Sequence, residues 1–415
     1  MTFGSEASES AAHNTFIDRI VPHGDRPLLN RTSESHPQPF GQAFRAVYVL
    51  IQHMLKWLLI FVPVTIGLEF LKPDAHTYIF IAACLSIVPL AGILGHATEQ
   101  VAHHAGEGVG GLLNATFGNA AELIIAIAAL QKGLYDVVKA SLTGSIIGNL
   151  LLVFGLSAVA GGFRHKIQRF NATAASAQAV LLTLAAIGLI VPAAFHHLQG
   201  PRDTLPEDAL GLDIAIVLLL AYGAHLVFSL YTHKRLFQGE SPDAKEEDQE
   251  TWPLGKAILI LAVATAFIAW ISEILVGSVQ QAAKAFGMTE IFVGVIVVAI
   301  IGNAAEHSTA VLAAMKNRME LSFGIAVGSS LQIALLVAPL LVILSHFIGP
   351  IPMNLAFSPA EVLAIFLSVL ITGQVAADGE TNWLEGSQLL AVYLILAIVF
   401  YFLPEGTVAL PANSN

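Results

Sequence analysis

One five-residue sequence occurs twice in the chain, and each copy lies inside a long apolar stretch. It is Gly-Asn-Ala-Ala-Glu, which ends first at Glu122 and again at Glu306. A charged side chain at the centre of a bilayer costs at least about 2.5–3.5 kcal/mol, so an acidic residue there is a functional-site hypothesis by default. A buried glutamate can also serve helix packing, but two in one repeated motif favour function. The two glutamates are therefore predicted to form the functional centre.

The repeated segment extends well beyond the pentapeptide. Gly144 and Gly328 each lie 22 residues after the glutamate of their own copy. The sequence Leu-Leu-Val at 151–153 returns at 335–337, and all of these pairs are 184 residues apart. The chain therefore contains an internal duplication in which each half supplies one acidic residue.

The composition places this chain in a membrane. Its 415 residues are 55% hydrophobic and 12% charged, with a mean hydropathy of +0.72, whereas soluble domains have about 25% charged residues. A net charge of −11 provides no basic patch, which argues against nucleic acid as a partner. The single cysteine, Cys84, excludes a disulfide framework and a Cys-based metal site. No cleavable signal peptide is visible at the start.

Eleven apolar stretches have about the 20 residues needed to cross roughly 30 Å of hydrocarbon. They lie near 46–69, 78–97, 110–131, 137–161, 173–196, 210–231, 254–276, 290–314, 322–348, 357–377 and 388–403. The first has no counterpart in the duplication, and the other ten form two sets of five. Because five is an odd number, the two sets must cross the membrane in opposite directions. The predicted fold class is an all-α, polytopic membrane protein with one accessory helix and two inverted five-helix repeats.

The same pattern predicts the domain organisation. In order, it comprises a polar cytoplasmic tail (1–45), the accessory transmembrane helix (46–69), the first repeat (78–231), an acidic cytoplasmic linker (232–252) and the second, inverted repeat (253–405). With the N-terminus in the cytoplasm, thirteen Lys and Arg residues lie on the cytoplasmic side and five on the far side. This bias follows the positive-inside rule, so we expect a multi-pass protein with a cytoplasmic N-terminus.

The repeated motif has the donor atoms of a hard-cation site. Asn119 and Glu122 are three residues apart and share one helix face, as do Asn303 and Glu306. The glycine before each asparagine weakens the helix locally and frees carbonyl groups. Ca²⁺ takes 6–8 oxygen ligands in flexible geometry, whereas zinc and copper favour the Cys and His ligands that are missing here. The four residues are predicted metal ligands.

Other polar residues in the apolar stretches are predicted to line the path of ions or protons. They are Glu99, Glu273, His307, Ser145, Asn149, Ser329 and Gln332. For the two glutamates the alternative is an interfacial side chain that reaches water. The amides and hydroxyls could instead bridge helices by hydrogen bonds, and the histidine could be a packing residue.

An acidic segment lies between the two repeats. Six acids occur within the eleven residues 240–250, namely Glu240, Asp243, Glu246, Glu247, Asp248 and Glu250. Its spacing does not match an EF-hand loop, because no glycine stands at the sixth position. We predict a regulatory element that binds Ca²⁺ weakly or docks on the protein; a solvated linker is the alternative.

The chain resembles the calcium/proton exchanger family of the calcium/cation antiporter superfamily over about residues 50–405. The resemblance rests on the motifs at 114–122, 298–307, 328–332 and 378–386. It implies eleven spans with a lone first helix, an acidic helix between the repeats, and core glutamates that bind Ca²⁺ and protons alternately. It also implies a bacterial inner membrane or, in a eukaryote, a vacuolar membrane.

The expected function is an antiporter that exchanges Ca²⁺ for H⁺ and removes Ca²⁺ from the cytoplasm. We expect no enzymatic activity and no cofactor; the transported ions and the bilayer are the expected partners, and a homo-oligomer stays open. One alternative is a Na⁺-coupled exchanger on the same scaffold. Another is a cation channel, although inverted repeats around one acidic site suit alternating access better. A metal-dependent hydrolase lacks His ligands and an obvious nucleophile.

Overall fold

The computed structural model describes residues 57–199, 205–237 and 251–404. Within these ranges the chain is helical almost throughout, as the sequence predicts. Two predicted segments lie outside them: the polar tail with the first part of the accessory helix, up to residue 56, and the acidic segment 240–250.

The described helices follow the predicted spans in order. They are α1 (Phe61–Leu71), α2 (His76–Ala105), α3 (Glu107–Phe117), α4 (Ala120–Gln131), α5 (Tyr135–Ile147), π1 (Gly148–Val153), α6 (Phe154–Gly162), α7 (Ala172–Gln199), α8 (Leu205–Val227), π2 (Phe228–Thr232), α9 (Lys234–Phe237), α10 (Leu254–Phe286), α11 (Glu290–Phe292), π3 (Val293–Val298), α12 (Ala299–Gly302), α13 (Ala304–Met315), α14 (Met319–Gln332), π4 (Ile333–Val337), α15 (Ala338–Ile348), α16 (Pro359–Val375) and α17 (Trp383–Phe402).

These helices make the protein a multi-pass membrane protein. Among the described residues, seven helical stretches are long and apolar enough to cross a membrane, or eight if the bent pair at 290–315 is one span. Helices α1, α4 and α16 are apolar but shorter. The all-helical, polytopic class is confirmed, whereas the number of eleven spans stays a prediction.

The 184-residue offset recurs in the helix boundaries. Helix α4 begins at Ala120 and α13 begins at Ala304, and both are 12 residues long. Segments π1 and π4 end at Val153 and Val337, again 184 residues apart. The two halves of the chain therefore fold in the same local way through the repeated region.

A seam of small residues joins α5 to the region of π3. A Cβ atom added to Gly144 would overlap the backbone carbonyl oxygen of Val295, and one added to Gly294 would stand 2.7 Å from the Cβ of Ala140. Such close approach of backbones is typical of membrane helices that present small residues to each other. The seam holds the first repeat against the second.

A short ribbon connects the repeats at one end of the bundle. Strand β1 (Gln168–Arg169) pairs antiparallel with β2 (Glu380–Thr381). The side-chain amide of Gln168 donates to the carbonyl of Ala314 at 2.7 Å. Phe170, the residue after strand β1, stacks on Phe323 with ring centroids 4.6 Å apart. The loop after α6 is therefore fixed to helices of the other repeat.

The seam generates a stability prediction with a matched control. Gly144→Ala would force α5 away from π3, because its Cβ has no room beside Val295. Overpacking of this kind costs about 1–3 kcal/mol. We expect a lower thermal unfolding midpoint for purified protein in detergent.

The control is the same substitution at the repeat-related position. Gly328 has no atom within 4 Å of the point where a Cβ would stand. Gly328→Ala should unfold at the wild-type temperature or slightly above it. Equal destabilisation by the two substitutions would contradict the difference in packing, which is close at Gly144 and open at Gly328.

Candidate ion-binding site

Both copies of the repeated motif lie where a helix is broken. Asn119 separates α3 from α4, with φ −100° and ψ 29°. Asn303 separates α12 from α13, with φ −93° and ψ 6°, and the two parts are bent by 61°. Both breaks lie inside the predicted spans 110–131 and 290–314, at the points where the sequence predicts a locally weakened helix. The glycine before each asparagine was the sequence signal for the break.

The breaks place both glutamates at helix beginnings. Glu122 lies in the first turn of α4, and Glu306 lies in the first turn of α13. The first turn of a helix has N–H groups without helical partners and carries the positive end of the helix dipole. A carboxylate is therefore stabilised at these two points more than elsewhere in an apolar span.

Each glutamate lies against the glycine of the opposite repeat. The point where a Cβ would stand on Gly302 is 3.7 Å from Oε1 of Glu122. The corresponding point on Gly118 is 4.0 Å from Oε1 of Glu306. The two carboxyl groups thus lie in one central region, and each reaches it because its neighbour has no side chain.

A chain of amides and hydroxyls crosses between the repeats at this centre. The bonds run from Asn119 Nδ2 to Gln332 Oε1, from Ser329 Oγ to Asn119 Oδ1 (2.7 Å), from Asn149 Nδ2 to Ser329 Oγ (3.0 Å) and Asn303 Oδ1 (3.4 Å), and from Asn303 Nδ2 to Ser145 Oγ (3.0 Å). Every one of them joins a residue of one half to a residue of the other. The structure therefore brings six of the predicted site residues into one network.

The carboxyl group of Glu306 keeps one oxygen free for another partner. Its Oε2 atom is buried and has no hydrogen-bond partner among the described residues. Buried polar atoms in native structures nearly always have a partner, which can be an ion or a water. The orphaned oxygen fits a cation or proton site.

The predicted path residues separate into two groups. The side chain of Glu99 is 62% exposed and lies 3.7 Å from Nδ1 of His96. Glu273 is exposed, and its backbone carbonyl accepts from Lys132 at 2.9 Å. His307 is half-buried, and its Nε2 has no hydrogen-bond partner within the described part of the chain. None of these three predicted residues joins the central network, and their role in an ion path stays a prediction.

One residue of the central region was missed by the sequence reasoning. Ser141 lines a small cavity together with Glu122, Ser145 and Gly302. It stands one helical turn before Ser145 on α5, so the spacing of four residues was a usable signal.

Comparison with known proteins decides the family. The sequence matches the family described as sodium/calcium exchanger protein over residues 75–231 and again over 256–402. The chain belongs to this family. The two matched stretches of this exchanger-family protein each contain one copy of the broken-helix motif.

The relatives of this exchanger-family chain extend over most of its length. A protein of Aphanothece halophytica named Ca(2+)/H(+) antiporter is 46% identical over 363 residues, which cover 84% of this chain and 96% of the relative. A vacuolar calcium ion transporter of Schizosaccharomyces pombe is 39% identical over 360 residues, covering 86% and 87% of the two chains. The solved structure of native YfkE is 40% identical, with a TM-score of 0.73, and covers 84% of this chain and 100% of that one.

Proposed function

We propose that this protein is a secondary antiporter that exchanges Ca²⁺ for H⁺ and removes Ca²⁺ from the cytoplasm. The observation that carries the proposal is the central pair Glu122 and Glu306, each at a helix beginning and each against the other repeat. The relative that is 46% identical and named Ca(2+)/H(+) antiporter supports the choice of the two ions.

The chemistry of the pair couples the two ions. Two ionised carboxylates match the charge of Ca²⁺ and, with the oxygens of Asn119 and Asn303, begin an all-oxygen shell. Two protons on the same carboxyl groups neutralise them and remove that shell's charge. Because both cargoes need the same oxygens, the site holds one or the other. Such exclusive occupancy produces obligatory exchange rather than leak.

The two halves differ in how closely they are packed around this centre. Val109 on α3 is 56% exposed, whereas its repeat-related residue Val293 is 1% exposed. Asn114 and Thr116, also on α3, are exposed polar residues, and Leu112 and Phe117 on the same helix are exposed apolar residues. From this difference in packing we infer that the bundle is closed at the seam of α5 and π3 and open beside α3. A cytoplasmic N-terminus would place the open side toward the cytoplasm.

Repeat symmetry supplies the other state of an alternating-access cycle. In that state, α3 would pack against α14 in the way that π3 packs against α5 in the present structure. Gly328 would then lie at the close contact between the helices, as Gly144 does now. Gly328 currently has open space where a side chain would begin. Opening one seam while closing the other exposes the glutamates to each side in turn.

The described end of the acidic linker lies against α2. The backbone N–H of Trp252 donates to Oε1 of Gln100 at 2.8 Å, and the His96 ring meets the Trp252 ring edge-on at 4.7 Å. The described end of the linker therefore contacts His96 and Gln100, on either side of Glu99 in the sequence. This contact supports a modulatory role for the six acids of segment 240–250, which we retain as a proposal.

The first functional prediction removes one carboxylate at a time. Glu122→Gln and Glu306→Gln keep the side-chain shape but remove a charge that Ca²⁺ needs. Each should lower the rate of pH-driven ⁴⁵Ca²⁺ uptake into proteoliposomes by at least about tenfold, because the variant has lost one of the two carboxylates that bind Ca²⁺ and carry protons. Glu69→Gln, at an exposed acid on α1, serves as the matched control and should transport normally. Near wild-type transport by both central variants would refute the site.

The second prediction concerns the driving ion. Proteoliposomes with an imposed pH gradient should accumulate Ca²⁺, and a protonophore with the membrane potential clamped should stop it. A Na⁺ gradient alone should have no effect. Uptake driven by Na⁺ alone would favour the Na⁺-coupled alternative, and flux indifferent to both gradients would favour a channel.

The third prediction tests the alternating seam. Gly328→Leu should fold normally, because no neighbouring atom lies within 4 Å of the point where its side chain begins. It should nevertheless slow Ca²⁺/H⁺ exchange severalfold, because α3 could no longer close on α14. Gly223→Leu, at an exposed position of α8 with equal free space, should exchange at the wild-type rate. A normal rate in Gly328→Leu would contradict the proposed closure.

A further inference from the structure

Two repeat-related segments lie at opposite ends of the bundle. Residues 163–169 follow α6, and their counterparts 184 positions later are residues 347–353, at the end of α15. Tyr135, at the beginning of α5, donates to the backbone carbonyl of Ile351 at 2.6 Å. Beyond the other end of the same span, Gln168 donates to the last turn of α13, which leads into α14. The two spans are therefore antiparallel, and the two segments lie at opposite ends.

Both segments present the same pair of apolar side chains to the surroundings. Phe163 and Phe347 occupy equivalent positions, and their side chains are 84% and 80% exposed. Ile167 and Ile351 are also equivalent, and they are 55% and 62% exposed. Apolar side chains that protrude at the end of a membrane span fit the boundary between lipid headgroups and acyl chains. The repetition at both ends indicates that each segment faces this boundary on its own side of the membrane.

The charges of the two segments do not follow the repeat. Residues 164–166 are Arg-His-Lys, whereas residues 348–350 are Ile-Gly-Pro. The stretch 163–174 contains three Arg or Lys residues and no acid, and its counterpart 347–358 contains no Lys, Arg, Asp or Glu. The apolar pair is thus common to both ends of the bundle, whereas the cations are found at one end.

The surroundings of segment 163–169 add further cations. Nε2 of Gln168 lies 3.3 Å from Oδ1 of Asn317, so the turn that carries the exposed Lys316 and Arg318 lies beside the segment. Lys166 is exposed and makes no ion pair with another described residue. The acids on the neighbouring elements are Glu320, Asp378, Glu380, which pairs with Arg169 at 2.9 Å, and Glu385, which caps the beginning of α17. Lys166 therefore remains available to an anion from outside the protein.

A tryptophan next to the segment marks the membrane boundary. Trp383 begins α17 and is 55% exposed, and its Cβ lies 2.6 Å from the point where a Cβ would stand on Gly162. The following residue, Leu384, is also exposed. Tryptophan side chains in membrane proteins are enriched at the level of the headgroups. Phe163 and the cations beside it therefore lie near that level.

We infer that residues 163–169, together with Trp383, form a docking surface for anionic phospholipids. Phe163 and Ile167 enter the headgroup boundary, and Arg164 and Lys166 contact the lipid phosphates. The positive-inside rule places this end in the cytoplasm, and the cytoplasmic leaflet carries the anionic lipids. The inference goes beyond the proposed transport function and does not depend on it. A basic segment that acts only during membrane insertion would show no headgroup preference in the folded protein.

The test measures lipid binding by purified, full-length protein in detergent. Dioleoyl phosphatidylglycerol or dioleoyl phosphatidylcholine is titrated in, and the thermal unfolding midpoint is followed. Phosphatidylglycerol should raise the midpoint with a half-saturating concentration at least about fivefold below that of phosphatidylcholine, because a cation near an anionic lipid surface contributes about fivefold in affinity. High salt should reduce this preference, because the cations are exposed.

The variants separate the charged half of the surface from the apolar half. Arg164→Gln combined with Lys166→Gln should raise the half-saturating concentration of phosphatidylglycerol by about tenfold or more and leave that of phosphatidylcholine unchanged. Phe163→Ser should weaken the binding of both lipids. The matched control combines Lys72→Gln with Lys284→Gln, which removes the same charge at two exposed positions outside this surface. The control should behave as wild type.

Three outcomes would overturn the inference. They are an equal response of wild-type protein to the two lipids, an equal loss of the preference in the two double variants, and equal protection by inorganic phosphate, which has no acyl chains. If the variant at 164 and 166 does not fold, Lys166→Gln is compared with Lys72→Gln. Lys166→Gln should then weaken phosphatidylglycerol binding by about fivefold, and equal binding by these two single variants would likewise overturn the inference.

Discussion

Two carboxylates inside an apolar helix bundle are the constraint on which the rest of the structure depends. Each would be costly in a continuous helix, because the surrounding side chains offer no hydrogen bonds. The chain meets this cost by breaking the helix just before each glutamate, so that a helix beginning faces the carboxyl group. Glycine at 118 and 302 then admits the glutamate of the opposite half. The same arrangement leaves an oxygen of Glu306 without a partner among the described residues, which is the position that the proposed function assigns to a cation or a proton.

The hydrogen-bonded network has a mechanical role as well as a chemical one. All five of its bonds join the first half of the chain to the second, so the two halves cannot slide at the centre without breaking them. In the proposed cycle, the parts that move are therefore the helices at the seams of small residues on either side of the network. In the proposed cycle, a rigid centre with seams that close in turn would form the two-state element that coupling between the two sides requires.

Sequence patterns could predict which residues lie at the centre but not the contacts that they make there. The repeat located Glu122 and Glu306 and the asparagine before each, but Asn119 and Asn303 lie at the helix breaks and not on the helix face that the spacing predicted. The network residues were predicted because amides and hydroxyls are rare in such apolar spans. Periodicity could not show that Asn149 bonds across the centre, because that contact depends on how α5 and α14 cross. It also gave no sign that Glu99 and Glu273 point away from the network, since an acid near a span end is compatible with both arrangements.

The paired π segments have a consequence for how the chain can change in length. A π segment holds one more residue than an α-helix over the same path. Deleting one residue in π1 would therefore restore α-helical geometry and leave the two flanking parts of the span facing as they do now. A deletion in the regular α-helical part that follows Ser145 has no such extra residue to remove, and it would rotate one part of the span against the other by about 100°. The π segments are thus the places where each span can lose one residue and still keep its polar side chains at the centre of the bundle.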